Sequence, residues 1–172
     1  MKKPSRELVK DSLFTMLTMY GAAWLAYLCQ IVPLYLLRMV YRGEDRLHAE
    51  KLLTAFFCLG MSALILVLLH RRSDRAERLT PRRALAEAGL AAAFYAAVQI
   101  LFRLLFENTY LISVHVTSLS ALFGTAQSAH YSTEYPTLLA SILGALISCT
   151  VYFLAAVSGM RLAVRRRHRR FR

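Results

Sequence analysis

Three polar side chains able to hold a ligand recur at four-residue steps near the end of one apolar segment. Gln99, Arg103 and Glu107 would share one face of a helix, and Tyr95 and Ala91 continue that face inward. Gln30 lies at a similar distance from the end of its own apolar segment. Pro33, three residues further on, lacks an N–H and frees the carbonyl of Cys29 at the same level. His115 lies in the uncharged stretch that follows Glu107. Amides, a guanidinium, a carboxylate and an imidazole so arranged could line an outward-facing site for a small polar ligand. The same groups could instead join helices through hydrogen bonds, the ordinary use of amides inside a membrane. Gln30, Gln99, Arg103, Glu107 and His115 are therefore the candidate ligand-binding residues.

No pattern for catalysis accompanies them. Glu87 is the one carboxylate near the start of an apolar segment, and it follows Arg83 by four residues, a helix pairing that needs no functional explanation. His48, His70 and His168 have no nucleophile at a suggestive spacing. Cys29, Cys58 and Cys149 form no CxxC or Cys/His set with metal-ligand spacing, and no glycine-rich loop could cradle phosphate. The sequence thus points to no metal, no cofactor and no enzyme. Cys29 and Cys58 each lie roughly 10 Å below the same end of their segments at 1.5 Å per residue, close enough for a disulfide to be conceivable.

The elements that must position these groups follow from composition. The chain has 172 residues, 57% of them hydrophobic, and its charges gather into short blocks. Four segments meet the length of about 20 mostly apolar residues that a bilayer-crossing helix needs: 12–37, 52–69, 84–106 and 135–160. None alternates with the period of a strand, so a barrel is excluded. The first segment is too long for an ordinary signal peptide and lacks a compact cleavage site, so it reads as a retained helix. The expected fold is an all-α integral membrane four-helix bundle, a single transmembrane domain over 1–172, with a basic cytoplasmic tail at 161–172.

Orientation follows from the placement of Lys and Arg. Residues 1–11, 71–83 and 161–172 carry four, six and seven of them, against four in 38–51 and one, Arg103, in 103–134. Cytoplasmic loops carry the excess, so both termini are expected in the cytoplasm and the protein in the plasma membrane. The stretch 108–126 is itself uncharged, but a fifth span there would place a connection without basic residues in the cytoplasm. It reads instead as an interfacial or re-entrant element between spans three and four. Ile112, Val116, Leu119 and Phe123 form a helical stripe, and a short strand at 112–117 is the competing assignment. The dipeptide Thr80–Pro81 marks the restart of a helix.

The net charge of +12 reads as membrane electrostatics rather than nucleic-acid binding, since no aromatic platform accompanies it. Arg165, Arg166, Arg167, Arg169 and Arg170 are expected to hold anionic lipid headgroups. Ala140, Gly144 and Ser148 repeat at four-residue steps, a surface that admits another helix from this chain, a second copy or a protein partner. The expected function is a small transport-related or accessory subunit packed in a larger membrane complex. The alternatives are a self-assembling pore, holin-like in size and tail charge only, and a membrane-embedded enzyme on lipid-linked substrates.

Overall fold

A computed structural model describes residues 3–77, 79–105, 114–127 and 134–170. Its elements in order are α1 (Lys3–Cys29), α2 (Ile31–Val40), α3 (Gly43–Arg72), α4 (Asp74–Glu77), α5 (Pro81–Leu105), α6 (Val114–Ala121), β1 (Thr125–Gln127), β2 (Glu134–Pro136) and α7 (Leu138–Arg170). Four stretches are long and apolar enough to cross a membrane, Arg6–Val40, Arg46–Arg72, Pro81–Leu105 and Leu138–Arg167. They contain most of each of the four apolar segments.

The break between α1 and α2 falls at Gln30, as Pro33 requires. Proline has no N–H to give the Cys29 carbonyl, and the helical pattern resumes when Leu34 N–H donates to the Gln30 carbonyl at 2.9 Å. A tight connection then leads to α3 through Gly43, whose φ of +68° suits glycine. α3 and α7 overrun the apolar segments because Arg, Lys and Glu are good helix formers. Arg46 supports the start of α3 by pairing with Glu50 one turn on, at 2.8 Å. The basic tail continues α7 as helix through Arg170.

Two strands of three residues each interrupt an otherwise helical chain. β1 and β2 pair antiparallel, with Thr125 opposite Pro136 and Gln127 opposite Glu134. Pro136 favours extended backbone in its neighbour, so the last helix starts at Leu138 rather than at 135. Thr137 Oγ1 accepts the Ala140 N–H at 3.2 Å and caps that start. Thr80 Oγ1 does the same for the Arg83 N–H at 3.3 Å, with Pro81 in the first turn of α5.

α1 packs against α3 and α5, and α7 packs against the same two. Thr15 meets Glu87, and Gly159 lies against Val67 and His70. These contacts gather the starts of α1 and α5 with the later turns of α3 and α7, so the long helices alternate in direction. That end carries the basic blocks; the opposite end carries the β hairpin. α6 packs against α3 and α7, burying His115, Val116, Thr117, Leu119 and Ser120. Of the expected stripe, Phe123 is exposed and Ile112 lies outside the described residues. Residues 114–117 are helical, so the strand assignment is corrected there.

The small-residue stripe is used within the chain. Ala140, Gly144 and Ser148 are all covered, Gly144 by Ser120 of α6. A side chain at Gly144 would meet the Ser120 hydroxyl and its backbone N at 3.1 Å. The interior is rich in alanine, with Tyr95, Tyr152, Met19 and Leu66 among its largest members, while Phe14, Leu17, Trp24, Leu28, Val32 and Leu139 are exposed.

Candidate functional site

Near the hairpin end, each candidate among the described residues has its own partner. Gln30 is buried, and its Oε1 accepts the thiol of Cys58 at 3.0 Å. Cys29 and Cys58 are both free thiols. Gln99 Nε2 donates to the Tyr20 hydroxyl at 3.5 Å. Arg103 donates to the Pro136 carbonyl at 2.9 Å and to Ser141 Oγ at 3.3 Å, and its guanidinium lies 5.3 Å from the Tyr135 ring centre. Arg103 therefore ties β2 to α5 and α7. Gln99 and Arg103 share a space of only about 10 Å³ with Val116, Ser120, Leu138 and Ser141, enough for about one water. Gln30 and His115 do not line it, and Glu107 lies outside the described residues.

His115 reaches far into the bundle. Its Nε2 is 2.9 Å from the Tyr152 hydroxyl, fourteen residues after the start of α7, or about 21 Å along it. Tyr152 in turn meets Ser62 Oγ at 2.8 Å, and Ser62 donates to the Cys58 carbonyl at 2.6 Å. Burial pushes the His115 imidazole down to about 4. This Ser, Tyr and His chain could pass a proton along its hydrogen bonds, but its three side chains are buried and none lines either of the larger cavities described below. It works as a connector of α3, α6 and α7.

The basic end is built differently. Glu87 is 1% exposed, and its Oε1 accepts hydrogen bonds from Thr15 Oγ1 at 2.7 Å and Arg75 Nη2 at 2.8 Å. The expected pairing of Glu87 with Arg83 is corrected: Arg83 turns to Asp11 at 3.0 Å and Glu7 at 3.8 Å. Asp11 also meets Arg75 at 3.1 Å. A partner one helical turn away is near in sequence, yet the short helix α4 brings Arg75 to a better position across the bundle. Glu87 Oε2 is buried and has no hydrogen-bond partner among the described residues.

Glu87 lines a cavity of about 190 Å³ together with Phe14, Thr15, Thr18, Leu69, His70, Ser73, Arg75, Leu79 and Met160. Arg75 and Leu79 also line a wider recess of about 490 Å³, bounded by Asp11, Asp74, Thr80 and Arg83. Gly159 lets α7 approach α3 here, since a Cβ on it would stand 2.9 Å from the Val67 carbonyl and 2.7 Å from His70 Cβ. His70 Nδ1 lies 2.9 Å from the Leu66 carbonyl, which can only accept, so Nδ1 carries the proton. In the neutral ring Nε2 is then an acceptor. An ionisable side chain in an apolar segment is itself a signal for this site, although Thr15 and Arg75 give no local sign of converging on it.

Among the described residues no group of three His, Cys, Asp or Glu side chains could hold a metal ion. The site offers hydrogen-bond acceptors and a carboxylate beside an apolar wall, which is the chemistry of binding. Comparison with protein-family models, with curated proteins and with solved structures finds no match to this chain.

Proposed function

We propose that the chain is a four-span protein of the cytoplasmic membrane, with both termini in the cytoplasm, that serves as a small transport-related or accessory subunit of a larger membrane assembly. One observation carries the membrane reading. Large apolar side chains such as Leu17, Trp24, Leu28, Val32, Phe56 and Leu139 face outward along the long helices, while Glu87, Gln30, Gln99, Ser62 and Ser148 face inward. A water-soluble protein distributes these classes the other way. The alanine-rich interior fits helices that associate by close approach rather than by a hydrophobic drive.

The excess of Lys and Arg at the basic end supports its cytoplasmic placement. Arg165, Arg166 and Arg167 are exposed on the last turns of α7, at the height where anionic headgroups would meet them. His115 at the level of Tyr152 supports α6 as part of a re-entrant element rather than an interfacial one. The subunit reading rests on how polar groups are used: they join helices in separate pairs, and the two larger described cavities lie at the basic end, with Tyr95, Tyr152, Met19 and Leu66 filling the middle.

Two measurements test these readings. With the native cysteines replaced, single cysteines at Ser73 and Arg166 should react with an impermeant thiol reagent only from the cytoplasmic side, and one at His48 only from outside. Labelling of Arg166→Cys from outside in sealed cells would overturn the topology. In mild detergent the chain should run in a stoichiometric complex with another membrane protein. A uniform homo-oligomer that conducts ions in planar bilayers would favour the pore instead.

A further inference from the structure

We propose that the apolar cavity beside Glu87 and the charged recess next to it together hold one phosphatidylethanolamine molecule of the surrounding bilayer, with a fatty chain in the cavity and the zwitterionic headgroup in the recess. The proposal rests on the protein lying in a bilayer and needs neither a partner protein nor a particular direction of insertion. It starts from the two spaces themselves, of about 190 Å³ and about 490 Å³, which adjoin at Arg75 and Leu79, residues that line both. Phe14, Leu69, Leu79 and Met160 make most of the smaller wall apolar. Glu87 belongs to that wall but leaves nothing for a ligand, since its Oε1 is taken by Thr15 and Arg75 and its Oε2 is buried. Phe14 and Leu69 are exposed on the outside of the bundle, where lipid chains would lie against them, so a chain can turn in between the helices. An apolar cavity of about 150 Å³ already admits a molecule the size of benzene, and a chain segment has similar bulk.

The recess carries charge of both signs beside that chain. Arg75 and Arg83 line it with side chains that are 37% and 43% exposed. Each turns Nη2 to carboxylates, Arg75 to Glu87 and Asp11, and Arg83 to Asp11 and Glu7. Among the described residues neither Nε nor Nη1 of either side chain has a hydrogen-bond partner. A guanidinium has five N–H donors, so both arginines keep donors for the oxygens of a phosphate. Asp74 lines the same recess, is exposed, and has no ion-pair partner among the described residues. Its carboxylate suits an ammonium. Glu7, Asp11, Asp74 and Glu87 already outnumber Arg75 and Arg83 around this recess, so a headgroup with net negative charge would add to the excess. A quaternary ammonium has no N–H to give Asp74. A phosphate followed by a primary ammonium, on an apolar anchor, meets each of these conditions.

The full-length protein is purified in a mild detergent, and phosphatidylethanolamine, phosphatidylcholine or phosphatidylglycerol with the same chains is added. Bound lipid is read by native mass spectrometry and by the thermal unfolding midpoint. Phosphatidylethanolamine should be retained as one molecule per chain and should raise the midpoint in a saturable way. Its apparent affinity should exceed that of the other two at least about tenfold, the order expected of one hydrogen bond to a charged group. Chain-free glycerophosphoethanolamine should neither bind nor shift the midpoint. Asp74→Asn should bring phosphatidylethanolamine down to the level of phosphatidylcholine, because it removes the ammonium's partner at an exposed position and leaves the cavity as it is. Leu79→Trp should abolish the retained molecule, because it fills the space for the chain and leaves every charge in place. Equal affinity for the three lipids, tighter binding of phosphatidylglycerol, or an unchanged preference in either variant would overturn the proposal. Asp74→Asn keeps the test decisive should Leu79→Trp fail to fold. A protein that stays folded and dispersed in water without detergent or lipid would instead overturn the membrane reading on which the site rests.

Discussion

Helix α5 carries polar side chains at both ends of one face, and the two ends use them in opposite ways. Toward the hairpin, Gln99 and Arg103 are consumed by Tyr20, Ser141 and the Pro136 carbonyl, around a space of about 10 Å³. Toward the basic end, Glu87 satisfies one oxygen through Thr15 and Arg75 and leaves the other buried with no partner among the described residues. Ser120 and Ser148, in the hairpin half, also have hydroxyls without a partner among the described residues. A hydroxyl can rotate to the carbonyl four residues back on its own helix, whereas a carboxylate oxygen has no such recourse.

The sharpest way to break this comparison is to add bulk at each end. Gly144→Leu should destabilise by about 3 kcal/mol or more, or prevent folding, because the new side chain must displace Ser120 and with it α6. Leu79→Trp should cost less than about 1 kcal/mol, since it grows into existing space. Unfolding midpoints in one detergent would compare them, and equal losses would mean that the cavity is not open volume.

A smaller effect is expected from acid. His115 has a pKa lowered from 6.5 to about 4 by burial, so the unfolded chain takes up its proton first as pH falls. The stability that neutral His115 contributes is complete above about 6.5 and is lost as pH falls toward about 4. Between about pH 7.5 and about pH 4.5 the wild type should lose more stability than His115→Gln does. Parallel pH profiles for the two proteins would show that His115 is not held neutral. The smallest change is at the staple: Gln99→Leu should lower the unfolding stability by only about 0.6 kcal/mol, the typical value of one hydrogen bond inside a membrane. A loss of several kcal/mol would show that Gln99 holds more than the Tyr20 hydroxyl.

Much of the frame was legible because it is local. Long apolar runs located four helices, Pro33 located the break at Gln30, and Thr80–Pro81 located the start of α5. Helix ends were less legible, because charged residues that leave the apolar run are still good helix formers, as in 43–51 and 161–170. The Glu87 cluster was hidden by distance: Thr15 lies 72 residues from it. Arg83, at the ideal spacing, concealed the true partner Arg75 on α4. The hairpin-end residues were read as a group because they share a level, but side-chain direction assigns Gln30 to Cys58, Gln99 to Tyr20 and His115 to Tyr152. Periodicity fixes height along a helix and says little about azimuth between helices.

The unbroken course of α7 has a mechanical meaning. Its 33 residues make a rod about 50 Å long at 1.5 Å per residue, against a hydrocarbon layer of about 30 Å. In a bilayer its arginine-bearing end would stand as a stiff lever rather than a loose thread. A force on that lever, from lipid or from a docking surface, would pivot the rod about the region of Gly159, which lies close against Val67 and His70 of α3. Tail and cavity would then be joined by leverage, with no loop between them to absorb the motion.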